Sequence, residues 1–255
     1  MRRTFTSSLL ASCLLLAASS ANAQTTFRIG PQVGYNLSSS SMRYPNLHPY
    51  MSLNNYYRSG AEAGLVAQVG LSDHFAVQPA VLYAQKGYGY VVHNNYDPST
   101  FTYSRETAFR VAYLTMPVNV VYSQRPNSEG MQVFVGPYLG YLLGGTYTFS
   151  VDETNVSGSS RSVTNKGKVV ASDSYDNLPD SKYESKGLDV GLQAGVGYGF
   201  AGGLQVQVSY SQGLRNLAAT YENGQDFSIA PVYQNPSYRN RTLQLSLAYL
   251  FGPKS

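Results

Sequence analysis

Any chemistry in this 255-residue chain has to come from a short stock of reactive side chains. The histidines are His48, His74 and His93, and no pair of them has metal-ligand spacing in sequence. His93 with Asp97 and either Ser99 or Ser104 comes nearest to a nucleophile, base and acid set, in which the imidazole would take the serine proton. Serine is abundant, however, and no strand pins that trio. GVGYGF at 195–200 has the glycines of a phosphate loop but neither the following helix nor the Lys-Ser/Thr that would hold a nucleotide. No carboxylate pair is fixed by strand positions as glycoside hydrolysis requires. The expectation is a protein that is not an enzyme and uses no metal or cofactor.

A second set of residues stands out by position. Arg28, Glu62, Lys86, Asp189 and Arg215 each take the polar side of a segment whose residues alternate between apolar and polar. Charges that share the inside of a low-dielectric wall must be paired or hydrated, so an ion-pair and water network is expected of them. The elements that position them are therefore strands.

About eight such segments recur along the chain. FRIGPQVGYN sets Phe27, Ile29, Pro31, Val33 and Tyr35 against Arg28, Gly30, Gln32 and Gly34. AEAGLVAQVGL, FAVQPAVLYAQKG, YLTMPVNVVY, MQVFVGPYLGYLL, LDVGLQAGVGYGF and LQVQVSYSQGL follow, and RTLQLSLAYLF closes with Leu243, Leu245, Leu247, Tyr249 and Phe251 on one side. Most segments offer about five apolar positions, what a tilted strand of 9 to 11 residues needs to cross hydrocarbon. The second face is Gly, Gln, Ser, Asn and Thr, which cannot build the dry core of a soluble barrel but suits a polar lumen. Aromatics at the ends of the apolar faces, such as Phe75 and Tyr83, have the placement of interfacial girdles.

The connections alternate in length. Residues 71–74, 123–130 and 201–203 are short, whereas 37–60, 88–106, 145–186 and 213–239 are long. Short periplasmic turns alternating with long outer loops give an all-β, up-and-down antiparallel transmembrane β-barrel of about eight strands in the outer membrane, with both termini periplasmic. Such a narrow barrel is filled by its own side chains, so a plugged lumen is expected.

The first residues read as a secretory signal: Arg2 and Arg3, an apolar run from Leu9 to Ala18, then Ala21-Asn22-Ala23. The expected division is 1–23 signal peptide and 24–255 barrel domain. A lipoprotein-type box, Leu10-Ala11-Ser12-Cys13, competes with that cleavage site. Removing the signal takes the one cysteine with it. It also takes two of 18 basic residues and leaves 16 against 14 acidic, a net +2 that excludes a nucleic-acid partner. With 23 Tyr, 24 Gly and no Trp, the composition favours strands and turns over helices.

The segments FRIGPQVGYN, QKGYGY, YLTMPVNVVY, VFVGPYLGYLLGG, LDVGLQAGVGYGF, QVSYSQGLRNLA and LQLSLAYLF together resemble the PorT-like outer-membrane β-barrel family of Bacteroidota. The resemblance implies a single barrel in the outer membrane and little about activity. The expected role is structural, adhesive or as an assembly partner, through Tyr-, Ser- and Asn-rich outer loops. A narrow porin-like channel and a lipid-modifying enzyme are the alternatives. Expected partners are outer-membrane lipid and lipopolysaccharide, the barrel-assembly machinery during insertion, and a protein at the loops.

Overall fold

The computed structural model describes residues 26–43, 51–97, 101–155, 158–175, 182–221 and 237–253. The expected signal region, His48 and Ser99 lie outside them.

Eight long strands close into an antiparallel ring: β1 (Phe27–Arg43), β2 (Met51–Gly70), β3 (Phe75–Asp97), β4 (Phe101–Arg125), β5 (Glu129–Asn155), β9 (Leu188–Gly199), β10 (Leu204–Gly213) and β12 (Ser237–Tyr249). The first and last strands pair from Gln32 opposite Ala248 to Arg43 opposite Ser237, so no edge is left in the ring. Four further strands among the described residues stand outside it: β6 (Ser160–Ala171), β7 (Ser174–Tyr175), β8 (Lys182–Ser185) and β11 (Thr220–Tyr221).

The alternation sorts side chains between lipid and lumen. Leu65, Val81, Val133 and Leu245 face outward and are 50 to 57% exposed, whereas Gln132, Asp189 and Thr242 on the other parity are fully buried. This inverts a soluble core: the exposed face is apolar and the inside carries the polar groups. Small inward residues make room for large ones on the neighbouring strand, Gly191 lying opposite Tyr138 and Gly195 opposite Phe134. A Cβ at Gly191 would meet the Tyr138 ring at 2.4 Å, and one at Gly195 would meet the Phe134 ring at 2.4 Å.

The structure departs from the sequence reading in the connections 37–60, 88–106 and 145–186, whose described residues are largely strand. β3 runs on to Asp97 and β4 begins at Phe101; β5 extends to Asn155 and pairs with β6 from Gly145 opposite Val169 to Thr154 opposite Ser160. The 27 residues of β5 measure about 90 Å extended, some three times a hydrocarbon core. The outer halves of β2 to β5, with β6, therefore stand beyond the apolar belt as a one-sided wall, since β9 and β10 have only 12 and 10 residues. Alternation fades in β6 and the outer end of β5 because water reaches both faces there, while Val, Thr and Tyr keep the chain extended.

Candidate functional site

The site that the strands build is the interior of the ring. Odd and even positions are fixed by pairing register, so Gln68, Gln78, Gln205 and Gln207 from three different strands all point into one narrow space. They bond in series across it: Gln207 Nε2 donates to Gln78 Oε1 (3.1 Å), Gln78 Nε2 to Gln205 Oε1 (2.8 Å), and Gln205 Nε2 to Gln68 Oε1 (2.9 Å). Gln68 Nε2 donates in turn to Ser128 Oγ. A primary amide carries both donor and acceptor, so a chain of them satisfies itself without net charge.

The lumen is stoppered at the short-turn end by the β4–β5 turn. Asn127 and Ser128 there have φ near +60°, a left-handed conformation that tucks Ser128 under the ring. Gln132 Nε2 donates to Ser128 O (2.6 Å), and Arg28 donates from NH1 to Asn127 O (3.4 Å) and from NH2 to Leu250 O (3.2 Å). Arg28 is thus spent on backbone carbonyls of the closing segments.

Above this, Glu62 accepts from Gln244 Nε2 (2.6 Å) and Gln32 Nε2 (3.3 Å), and Ser209 donates to Gln244 Oε1 (3.1 Å). A cavity of about 10 Å³ lies among Glu62, Gln78, Gln207 and Gln244, room for about one water. Higher still, Lys86 Nζ is 4.0 Å from Asp189 Oδ2 and lies over the rings of Tyr138 (5.1 Å) and Tyr113 (5.3 Å). Asp189 Oδ2 also accepts from Asn240 Nδ2 (2.9 Å) and Tyr138 OH (3.3 Å). A cation buried among two π-faces and a hydrogen-bonded carboxylate is held by charge and geometry together.

The long-connection end is closed by apolar groups. Tyr88, Phe109, Tyr238 and Leu217 pack in one buried cluster, with Tyr88 and Phe109 ring centroids 4.6 Å apart. Leu217 comes from the segment after β10, which folds over the mouth: Leu217 N donates to Tyr238 O, Lys186 N to Leu217 O, and Asn216 Oδ1 accepts from the amides of Ala218 and Tyr238.

The structure brings Arg28, Glu62, Lys86 and Asp189 into the lumen, each buried. Arg215 does not join them. β10 ends at Gly213 and the chain bends at Arg215 itself, so strand parity no longer governs; Arg215 sits at the rim, 3.5 Å from the exposed Asp173. The residue that enters the mouth is Leu217. Parity marks the glutamines as inward in the sequence, but their partners across the ring have no local signature. His93 lies opposite Ser104 and Ser52 in register on the wall, and His74 Nδ1 is 2.9 Å from Ser123 O beside Tyr122. Among the described residues no three His, Cys, Asp or Glu side chains converge as a metal site requires. On the wall, Tyr56 donates to Glu106 Oε1 (2.6 Å), and partial burial together with that bond pushes the phenol up to about 12.

A family profile described as outer membrane protein beta-barrel domain matches residues 17–219. Solved structures similar to the chain include the attachment invasion locus protein Ail of Yersinia pestis, in complex with the heparin analogue sucrose octasulfate, at 10% identity and TM-score 0.33, covering 88% of this chain and 99% of that one. Neisserial surface protein A is similar at 12% identity and TM-score 0.33, over 90% of this chain and 100% of that one. OprG from Pseudomonas aeruginosa is similar at 11% identity and TM-score 0.33, over 90% and 96% respectively. Among curated proteins none matches in sequence.

Proposed function

The chain belongs to the outer membrane protein beta-barrel domain family, and from that premise we propose that it is a closed barrel whose work is done by the wall beyond the long-connection end, in a structural, adhesive or assembly-partner role. The observation that carries this reading is the filled interior. The glutamine series, the Lys86–Asp189 pair and the aromatic mouth occupy the ring at three heights, which supports a lumen shut to solutes. Arg28, Glu62, Lys86 and Asp189 serve here to keep the lumen shut, and Arg215 braces the segment that latches the mouth.

In the same reading both termini lie in the periplasm and the wall stands outside the cell, because the short turns and the long hairpins segregate to opposite ends. Residues 1–23 act as the signal, 24–255 form the barrel domain, the barrel-assembly machinery inserts it, and lipopolysaccharide surrounds its outer half. The narrower kinship with PorT-like proteins of Bacteroidota rests on QKGYGY, YLTMPVNVVY and VFVGPYLGYLLGG.

Liposome swelling tests the reading. Vesicles carrying the protein should swell in small sugars no faster than empty vesicles. Swelling that accelerates with protein content makes the protein a channel and removes the wall-centred role.

A further inference from the structure

Cations are unevenly divided between the two rims of the lipid-facing surface. At the long-connection end, the outward column Leu247, Leu245, Leu243 of β12 continues directly into Arg241 and Arg239, both exposed. Arg43 of β1, also exposed, lies opposite Ser237 and is therefore the diagonal neighbour of Arg239 on that face, within about 8 Å.

Further round the ring the arrangement repeats. Arg110 of β4 shares the outward parity of Leu114 and Met116 and pairs through Thr146 with Lys168, while the next rung places Lys166 opposite Thr148. All three cations are exposed, and Val169, which points into the mouth, fixes Lys168 to the outer side. The acids on this face, Glu106 and Asp152, stand on rungs beyond Lys166, and Glu106 already accepts from Tyr56. Among the described residues none of the six cations forms an ion pair. The short-turn rim carries Arg125, with Asp73 and Glu129 as acids.

Height and direction select the partner. Arg241 lies one same-face step, about 7 Å, beyond Leu243, so these side chains point sideways into the headgroup layer rather than upward into water. Guanidinium forks pair with phosphate in bidentate geometry, and neighbouring lysines add point charges. A zwitterionic phospholipid brings its own compensating amine. Clustered, uncompensated phosphates match two groups of adjacent cations.

We infer that Arg43, Arg239 and Arg241, with Arg110, Lys166 and Lys168, form a collar that binds the phosphorylated headgroup of outer-leaflet glycolipid, the chemistry that lipopolysaccharide presents. The inference rests on the proposed orientation of the barrel.

The test titrates the full-length mature barrel, in a zwitterionic detergent, with lipopolysaccharide and with the same lipopolysaccharide dephosphorylated. The phosphorylated form should bind about tenfold or more tighter. A variant carrying Arg110→Gln, Lys168→Gln, Arg239→Gln and Arg241→Gln should lose that preference while keeping its heat-modifiable gel mobility, and Arg125→Gln should retain it. Equal binding of the two glycolipids to the wild type overturns the collar, as does a preference that survives in the quadruple variant. If that variant loses its mobility shift, Arg239→Lys with Arg241→Lys should fold and keep the preference; its loss there counts against the collar. The orientation is read separately, by labelling a cysteine placed at Ser159 on intact cells, so failure of either idea shows on its own.

Discussion

A single strand, β5, passes through two environments, and they obey opposite rules. From Met131 to Leu139 its odd positions are exposed and apolar while Gln132, Phe134 and Tyr138 are buried, so each residue has one allowed side. From Thr146 to Thr154 the same strand is partly exposed on both sides. Pairing with β4 crosses the boundary through one register shift, from Tyr113 opposite Leu142 to Ala112 opposite Gly144, and on the other side the partner changes from β9 to β6. The difference teaches that hydrocarbon and a packed lumen dictate side chains in the span, whereas in the wall only the hydrogen-bonded ladder does.

The sharpest way to break this comparison is to orphan a buried charge. Asp189→Ala leaves Lys86 inside the lumen without its carboxylate and should cost about 3 to 5 kcal/mol, measured by urea unfolding in lipid vesicles. Replacing both, Lys86→Met with Asp189→Leu, should recover most of the loss. A double variant as unstable as the single one would mean that the pair is not what holds that layer.

Next in size is the lipid face. Leu245→Arg puts a charge into hydrocarbon and should cost about 2 to 4 kcal/mol, whereas Ser150→Arg in the wall should stay within about 0.5 kcal/mol. Similar losses at the two sites would erase the boundary between span and wall.

Packing inside the ring gives an intermediate effect. Gly191→Val drives a side chain against the Tyr138 ring and should cost about 1 to 3 kcal/mol in the same titration. No loss there would show that the lumen has slack.

The rim pair should matter least. Asp173→Asn removes an ion pair between an exposed carboxylate and a partly exposed guanidinium, and is expected to change stability by about 0 to 0.5 kcal/mol. A larger loss would make the latch over the mouth a structural strut.

The same boundary explains what could be read from sequence. Leu243 to Phe251 announces its faces because lipid tolerates only one assignment, and Arg28, Glu62, Lys86 and Asp189 are found by parity for that reason. Arg215 is misplaced because parity counts only while the chain stays extended, and β10 stops at Gly213. Leu217 and Tyr238, which close the mouth, fall in stretches that look like polar loops, since a few buried residues leave no periodicity. β6 and the outer end of β5 read as loop because a strand wetted on both faces has no alternation to show. The glutamine series is visible as inward residues but not as a network, because its partners, Gln68, Gln78 and Gln205, meet only when the ring has closed.

The central claim is that the lumen is shut, and single-channel recording in a planar bilayer addresses it most directly. Purified protein should give no stable conductance steps above background, and Lys86→Met should give none either. Reproducible steps in the wild type, with an ion preference that shifts when Lys86 or Asp189 is neutralised, would establish a path through the lumen and contradict the account.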